Sequence, residues 1–516
     1  MRTCLLGIDV GTTGSKAILM DEGGTVMATA THAYPMVTPH PLWVEQDPED
    51  WWVATVASIR EVLARSGTGA TQIAAVGLTG QMHGLVLLDR VGHVLRPCIL
   101  WNDQRTAPQC EEITRIVGVE ALLKLTGNPV LPGFTAPKIR WVQQHEPDTF
   151  RQAAKVLLPK DYVRYRLTGT FFSDVSDASG TSLFNVGRRQ WSPEMLQTLD
   201  IPQAWLPEVT ESPVPSASIS QEAAEATGMV PGTPVVGGAG DQAAQAVGTG
   251  IVQEGLASVT LGTSGVVFAS SDVYRVEPQG RLHAFCHAVP GKWHLMGVML
   301  AAGGSLRWYR DALGEVECRT AKGTGQSAYD LLLADAAEVP PGCEGLIFLP
   351  YLSGERTPHP DPHARGVFFG LTLRHRKPHL TRAVLEGVSF GLRDSLELMY
   401  GLGLAIQEVR ASGGGAQSPL WRQILADVFG TKITTVNITE GAAFGAGLLA
   451  GVGVGIFASV PDACAKAVHL TGQVHPDAAV HIYPDYYARY RALYPALASE
   501  FKALSWLVES RRPGNP

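Results

Sequence analysis

Residues 235–265 read VVGGAGDQAAQAVGTGIVQEGLASVTLGTSG, in which the carboxylate Asp241 directly follows the first of two glycine turns. Before it runs Gly237-Gly238-Ala239-Gly240, and after it the small residues Ala243 to Val247 have the spacing of a helix start. The second turn, Gly262-Thr263-Ser264-Gly265, follows an apolar run. Glycine turns at strand ends let backbone N–H groups converge on an anion, because no Cβ blocks the approach. A carboxylate facing such a cradle is placed to accept a proton, which is the layout of phosphoryl transfer. The plainer reading is that Asp241 caps the helix that follows it.

The same pattern occurs near the N-terminus. Leu5 to Asp9 is an apolar strand, Val10-Gly11-Thr12-Thr13-Gly14-Ser15 a Gly/Thr turn, and Lys16 to Met20 a second apolar strand. Ala257 to Leu261, the 262–265 turn and Val266 to Ala269 repeat it about 250 residues later. A strand, G-T-[ST]-G, strand unit used twice suggests two domains of like fold. A third glycine turn, Ser412-Gly413-Gly414-Gly415-Ala416, leads from the strand Ile406 to Ala411 into a helix with Ser418 as N-cap, Pro419 at its first turn and Gly430 as its stop.

Between these turns the chain alternates strands and helices. Asp47-Pro48-Glu49-Asp50 opens a helix that runs to Ser66 and stops at Gly67. Ile73 to Leu78 is a strand interrupted by Thr79-Gly80-Gln81-Met82-His83-Gly84, a polar break in apolar strands that reads as a site. Helices are expected at Pro137 to His145, Lys160 to Leu167, Ala301 to Leu313 and Leu380 to Met399, and a strand at Trp293 to Leu300. Ser173 to Thr181 is a polar loop, and Pro207 to Ser220 is linker-like in its prolines and serines. Residues after His475 read only as surface helix.

At 516 residues the chain exceeds the size at which single cores stop growing, so two domains are expected. With 45% hydrophobic and 17% charged residues it can fill those cores, and disorder is excluded. A net charge of -7 without a basic run argues against nucleic acid as a partner. Seven cysteines without C-x-x-C or metal-ligand spacing read as reduced thiols of a cytoplasmic protein. Gly441 to Val460 is free of charge for 20 residues, long enough to span a bilayer. Its six glycines point instead to a buried helix packed through small residues and then a break, so no membrane is expected.

No Walker-type loop or dinucleotide fingerprint is present. The motifs G-I-D-V-G-T-T-G-S-K (7–16), G-A-G-D-Q (238–242), L-G-T-S-G (261–265), S-G-G-G-A-Q-S (412–418) and G-A-A-F-G-A-G (441–447) resemble those of the FGGY carbohydrate kinases. The likeness runs from Leu5 to about Gly451. Within that family H-P-L-W-V-E-Q-D-P-E (40–49), G-Q-M-H-G (80–84), I-L-W-N-D-Q-R (99–105), L-L-P-K-D-Y (157–162), S-D-A-S-G-T (176–181), H-A-F-C-H-A (283–288) and Y-L-S-G-E-R-T-P-H (351–359) are most similar to its xylulokinase branch. Gln242 departs from that branch, which has asparagine there, and is similar to the glycerol kinase version.

The resemblance implies an α/β fold of two ribonuclease-H-like domains of the actin, Hsp70 and sugar kinase type, with the active site in the cleft between them. It implies residues 1–250 as the sugar and phosphate half, 251–485 as the ATP half, and 486–516 as a C-terminal helix and tail. It further implies that Asp241 takes the proton from the sugar hydroxyl and that Asp9 holds Mg2+. Met82, His83, Trp101, Asn102, Asp241 and Gln242 would hold the sugar. Gly11, Thr12, Thr13, Gly262, Thr263 and Ser264 would bind the phosphates of ATP, and Gly414, Gly415, Ala416 and Ser418, with Gln417 beside them, its adenosine. Partners are then a small sugar and ATP, with a homodimer among the possible assemblies. D-xylulose is the implied acceptor; glycerol, ribulose or a deoxyketose stays open on Gln242. A non-kinase ATPase of the same superfamily is the reading of another class, and Asp241 with the Q-M-H-G break speaks against it.

Overall fold

The first apolar run and its repeat fold alike. In the computed structural model, which describes residues 3–438 and 440–511, the strands β1 (Cys4–Val10) and β2 (Gly14–Asp21) form an antiparallel hairpin. β3 (Val26–Ala33) pairs antiparallel with β2 on one side, and β4 (Ile73–Gly80) pairs parallel with β1 on the other. β5 (Pro215–Ser218), β6 (Pro234–Val236) and the short β7 (Ala239–Gly240) complete the sheet, in the order β5-β6-β4-β1-β2-β3 with β7 also parallel to β4. The Pro207 to Ser220 stretch is therefore no linker: its second half is the edge strand β5, where a proline costs no ladder bond.

Both faces of this sheet are covered, which is why β1 and β2 read as continuous apolar runs. Cys4, Leu6, Ile8 and Val10 pack with Trp51 and Ile59 of the helix Pro48–Ser66. That helix begins and ends as its sequence predicts, with Asp47 accepting from the Glu49 N–H at 2.9 Å and Gly67 left-handed at φ 63°. On the other face Leu5, Ile18 and Met20 pack with Phe444 and Leu448 of the helix Gly441–Gly453. Here backbones touch. A Cβ added to Gly7 would lie 2.0 Å from the Ala443 carbonyl oxygen, and one on Gly77 1.9 Å from that of Ala446. The same helix meets the helix Asp241–Gly248 as closely: a Cβ on Gly445 would lie 1.9 Å from the Ala244 oxygen. The glycine-rich segment is thus a buried packing helix, and no helix among the described residues is long and apolar enough to cross a membrane.

The second sheet repeats the plan. β8 (Leu256–Leu261) and β9 (Gly265–Ser271) form the antiparallel hairpin, with β10 (Trp293–Met299) beside β9. β11 (Glu408–Ser412) runs parallel to β8, β12 (Lys432–Val436) parallel to β11, and β13 (Leu470–Val474) antiparallel at the edge. Helices Lys377–Gly401 and Pro419–Phe429 pack together, the buried Trp421 indole donating to the Ser389 hydroxyl at 3.3 Å.

The last helix, Tyr483–Ser510, is more than surface cover. Tyr483 donates to Glu386 at 2.8 Å and Tyr487 to Asp394 at 2.6 Å, and Tyr490 is fully buried beside Tyr351. Residues 512–516, the end of the expected tail, lie outside the described residues.

The chain forms two compact units that interleave in sequence. The first takes the chain up to Gln253 with Ser270–His294 and Asn437–His469; the second takes Glu254–Ala269, Leu295–Val436 and the chain from Leu470.

Candidate functional site

In the first unit the register of three parallel strands gathers the acids. Asp9 pairs with Thr79 across β1 and β4, Thr79 pairs with Ala239 across β4 and β7, and Gly240 pairs with Gly80. Asp241 is the next residue and the first of its helix. Strand ends two places apart put the two backbones roughly 10 Å from each other. Asp241 is not the N-cap of that helix: Gly240 takes that place, and the carboxylate accepts from the adjacent Gln242 N–H at 2.7 Å.

Both carboxyls hold protons more tightly than a solvated acid. Burial pushes Asp241 up to about 7; the charge of Asp9 adds to the rise, and hydrogen bonds from the backbone and side chain of Gln242 oppose it. Burial pushes Asp9 up to about 6, with Lys16 lowering it and Glu440 raising it. Lys16 is ion-paired to Glu440, which divides its charge between the two acids. An acid that ionises near neutrality suits proton transfer. Between the two stands Thr79, fully buried, whose hydroxyl has no partner among the described residues.

Beside Asp9 the β1–β2 loop is fastened by its carbonyls. Gln46 Nε2 donates to the Thr12 oxygen at 2.8 Å, Gln81 Nε2 to the Gly11 oxygen at 3.3 Å, and the Tyr34 N–H to the Thr13 oxygen at 3.3 Å. Trp101 Nε1 donates to the Thr12 hydroxyl at 3.1 Å, so this half-exposed indole belongs to the loop. Among the described residues no acceptor takes the N–H of Thr12 or Thr13, and these are the donors a phosphate would use. Asn102 follows with a buried side-chain oxygen that has no partner among the described residues.

The 80–84 break places Met82 and His83. A Cβ on Gly240 would lie 2.9 Å from the Met82 sulfur, so Met82 packs on the residue before Asp241. His83 is left-handed at φ 69°, a conformation that needs external support in a non-glycine residue. Its carbonyl accepts from Lys138 Nζ at 2.8 Å and from the Thr135 hydroxyl at 3.1 Å, and its ring stacks on Phe134 at 4.6 Å. Nδ1 lies 2.7 Å from the Gly180 carbonyl oxygen, which can only accept, so Nδ1 carries a proton. Burial lowers Lys138 to about 7. Lys138, Thr135 and Phe134 carry no motif in themselves, and only a long-range contact shows their role.

In the second unit the β8–β9 loop is held by backbone alone. The N–H groups of Ala302 and Gly304 donate to the Thr263 oxygen at 3.0 Å each, and that of Gly303 to the Gly262 oxygen at 2.8 Å. Among the described residues no acceptor takes the N–H of Gly262, Thr263 or Ser264. Next to this loop a cavity of about 880 Å³ is lined by Gly262, Thr263, Gly414, Gly415, Gln417 and Ser418. Leu306, Leu333, Ala334 and Ala337 give it an apolar wall, and Arg307, Tyr329 and Asp330 stand on its lining. Sequence motifs missed this wall, which comes from the helices Gly303–Leu313 and Ala328–Ala337. Ala416 does not line the cavity: it is buried behind the Gly414–Gln417 turn, its carbonyl accepting from Arg422 at 2.6 Å. A cavity with an apolar wall, bordered by N–H groups that no acceptor takes among the described residues, suits a base with a polyphosphate tail.

Among the described residues no three His, Cys, Asp or Glu side chains gather as a metal site. A lone carboxylate is the donor set of a hard cation that keeps most of its waters and is carried by phosphates, and Asp9 fits Mg2+ in that way.

Residues 4–248 match the N-terminal domain of the FGGY family of carbohydrate kinases, and residues 257–454 its C-terminal domain. The xylulose kinase of Escherichia coli (strain K12) is 47% identical over 428 residues, 83% of this chain and 85% of its own length. The xylulose kinase of Klebsiella pneumoniae is 45% identical over 87% of this chain and 90% of its own. The crystal structure of xylulose kinase from Rhodospirillum rubrum matches with a TM-score of 0.90 at 33% identity, over 97% of this chain and 100% of that one. The two family matches cover most of the chain, and the chain belongs to the FGGY family of carbohydrate kinases.

Proposed function

We propose that the protein transfers the γ-phosphoryl group of ATP to the terminal hydroxyl of D-xylulose, giving D-xylulose 5-phosphate and ADP. The observation that carries the reading is Asp241, held near neutrality at a strand end beside Met82 and a fixed His83. The relatives named xylulose kinase supply the acceptor.

In this reading Asp241 takes the O5 proton as that oxygen attacks the γ-phosphorus and the bond to the β-phosphate oxygen breaks. The proton later leaves to solvent. His83 and Met82 border the carbon chain of the sugar, and Gln242 and Asn102 supply amide groups to its hydroxyls. The N–H groups of Thr12 and Thr13 in the first unit, and those of Gly262, Thr263 and Ser264 in the second, are donors suited to phosphate oxygens. Gly414, Gly415, Gln417 and Ser418 border the adenosine, with Ala416 supporting the turn from behind. Mg2+, when bound with the nucleotide through Asp9, neutralises the phosphates. Seven free thiols, six of them buried, suit a cytoplasmic setting.

The test is ADP release with Mg-ATP against D-xylulose, glycerol, D-ribulose and L-ribulose, beside Asp241→Asn. Turnover on D-xylulose that the variant loses supports both acceptor and base. Turnover chiefly on another polyol keeps the kinase and sinks the xylulose assignment, directing attention to Gln242. Sugar-independent ATP hydrolysis that Asp241→Asn leaves untouched sinks the mechanism.

A further inference from the structure

Asp241 ends a run, Gly237-Gly238-Ala239-Gly240, that has almost no side chain of its own to hold it. Its backbone conformation must be imposed from outside, and the structure shows by what. The Gly238 N–H donates to the Ser212 carbonyl at 3.0 Å, and the Gly240 N–H to the Ser176 hydroxyl at 3.0 Å. Both serines then turn to one atom: the Ser212 hydroxyl donates to Asp174 Oδ2 at 3.1 Å, and the Ser176 hydroxyl donates to the same oxygen. The Ser176 N–H joins them at 2.8 Å. The other oxygen of Asp174 lies 3.0 Å from Lys160 Nζ, which also meets Asp161 and, at 3.5 Å, Asp177. Lys160, Asp161, Asp174, Ser176, Asp177 and Ser212 are all buried.

We propose that the Asp174 carboxylate, through Ser176 and Ser212, is the positioning node that fixes the glycine run and so sets where Asp241 stands against the acceptor hydroxyl. The proposal deepens the reading of Asp241 as the base and rests on it. Three carboxylates around one ammonium are costly to bury, and an apolar plug of equal volume would stabilise the fold as well or better. What the ionic group offers in exchange is direction: one carboxylate oxygen aims two hydroxyls, and each serine holds one glycine N–H. A reacting group misplaced by about 1 Å loses on the order of a hundredfold in rate, which is reason enough for such anchoring.

The variant Ser176→Ala removes the acceptor of the Gly240 N–H and leaves every charge in place. We expect kcat to fall roughly tenfold with KM for ATP and sugar within twofold, and Ser176→Thr, which keeps the hydroxyl, to recover to within threefold. Hydrogen exchange of the peptide spanning 238–242 should quicken in Ser176→Ala, while peptides from β1 and β4 keep their parent rates. In an Asp241→Asn background the same change should leave the residual turnover unaltered, since the node acts through that carboxylate. A parent kcat in Ser176→Ala, or an equal tenfold loss in the Asp241→Asn background, overturns the proposal. Asp174→Asn should lose more; should it fail to fold, Ser176→Ala still decides. If the parent protein phosphorylates none of the acceptors, the functional reading itself has failed. The exchange measurement on the free protein then still reports whether Ser176 holds Gly240.

Discussion

The two glycine hairpins share a sequence and not a means of support. Around Gly11-Thr12-Thr13 the carbonyls accept side-chain amides from Gln46 and Gln81, brought from distant parts of the chain. Around Gly262-Thr263-Ser264 they accept backbone N–H groups from the start of one helix, residues 302 to 304. Both arrangements turn the loop N–H groups outward. The first loop adjoins two carboxyls that titrate near neutrality; the second adjoins a large apolar-walled cavity. A duplicated turn therefore stands in two different settings. What specialises each copy is the neighbourhood, since the four loop residues hardly differ.

If the settings decide the roles, damage beside one loop should read out differently from damage beside the other. Asp241→Asn should lower kcat about a thousandfold, within the usual reach of general-base catalysis, with KM for ATP nearly unchanged. Gly303→Val should do the reverse. A Cβ at 303 would lie 2.5 Å from the Gly262 oxygen, so the second loop must shift, and KM for ATP should rise about tenfold or more with KM for the sugar within twofold. Initial-rate kinetics with each substrate varied in turn separate the two outcomes, and a rise in both KM values in either variant breaks the comparison.

The pH profile sharpens it. The base works only when ionised, so kcat/KM should fall about tenfold per unit below pH 7, where Asp241 holds its proton, and level off above. Stability should move the opposite way. The folded-state value is raised above the unfolded one, so the native state binds the extra proton between about pH 4 and 7 and loses stability as pH rises through that window. Asp241→Asn removes this cost and should be more stable than the parent at pH 8, by on the order of 1–2 kcal/mol after solvent screening, with no difference at pH 4. Thermal melts at the two pH values check it. The smallest effect belongs to Trp101→Phe, which deletes the indole N–H on Thr12 and should lower kcat about threefold without moving KM for ATP.

Much of this is legible in the sequence. The hairpins, the Asp47 and Ser418 caps and the stops at Gly67 and Gly430 followed from local chemistry, which acts within one turn of the chain. The glycine-rich 441–453 helix was recognisable as a packing element because glycine and alanine have little else to offer a helix. What stayed hidden depends on residues far apart. The Pro207 to Ser220 stretch looked like a linker because an edge strand tolerates proline. The C-terminal helix looked superficial because its stripe is tyrosine, whose hydroxyls find Glu386 and Asp394 only in the fold. The cavity wall at 327–337, the Lys138 and Thr135 grip on His83 and the Asp174 node have no period or spacing to betray them.

The bare glycine face of β1 and β4 also dictates an order of events during synthesis. Gly7 and Gly77 leave the ribosome long before the helix that covers them, which starts at Gly441. Until then the nascent first unit exposes a strip of sheet shaped to receive a backbone and nothing else. That half-finished surface is where a chaperone would be needed, and a messenger truncated before codon 441 should yield a product that never closes its first sheet.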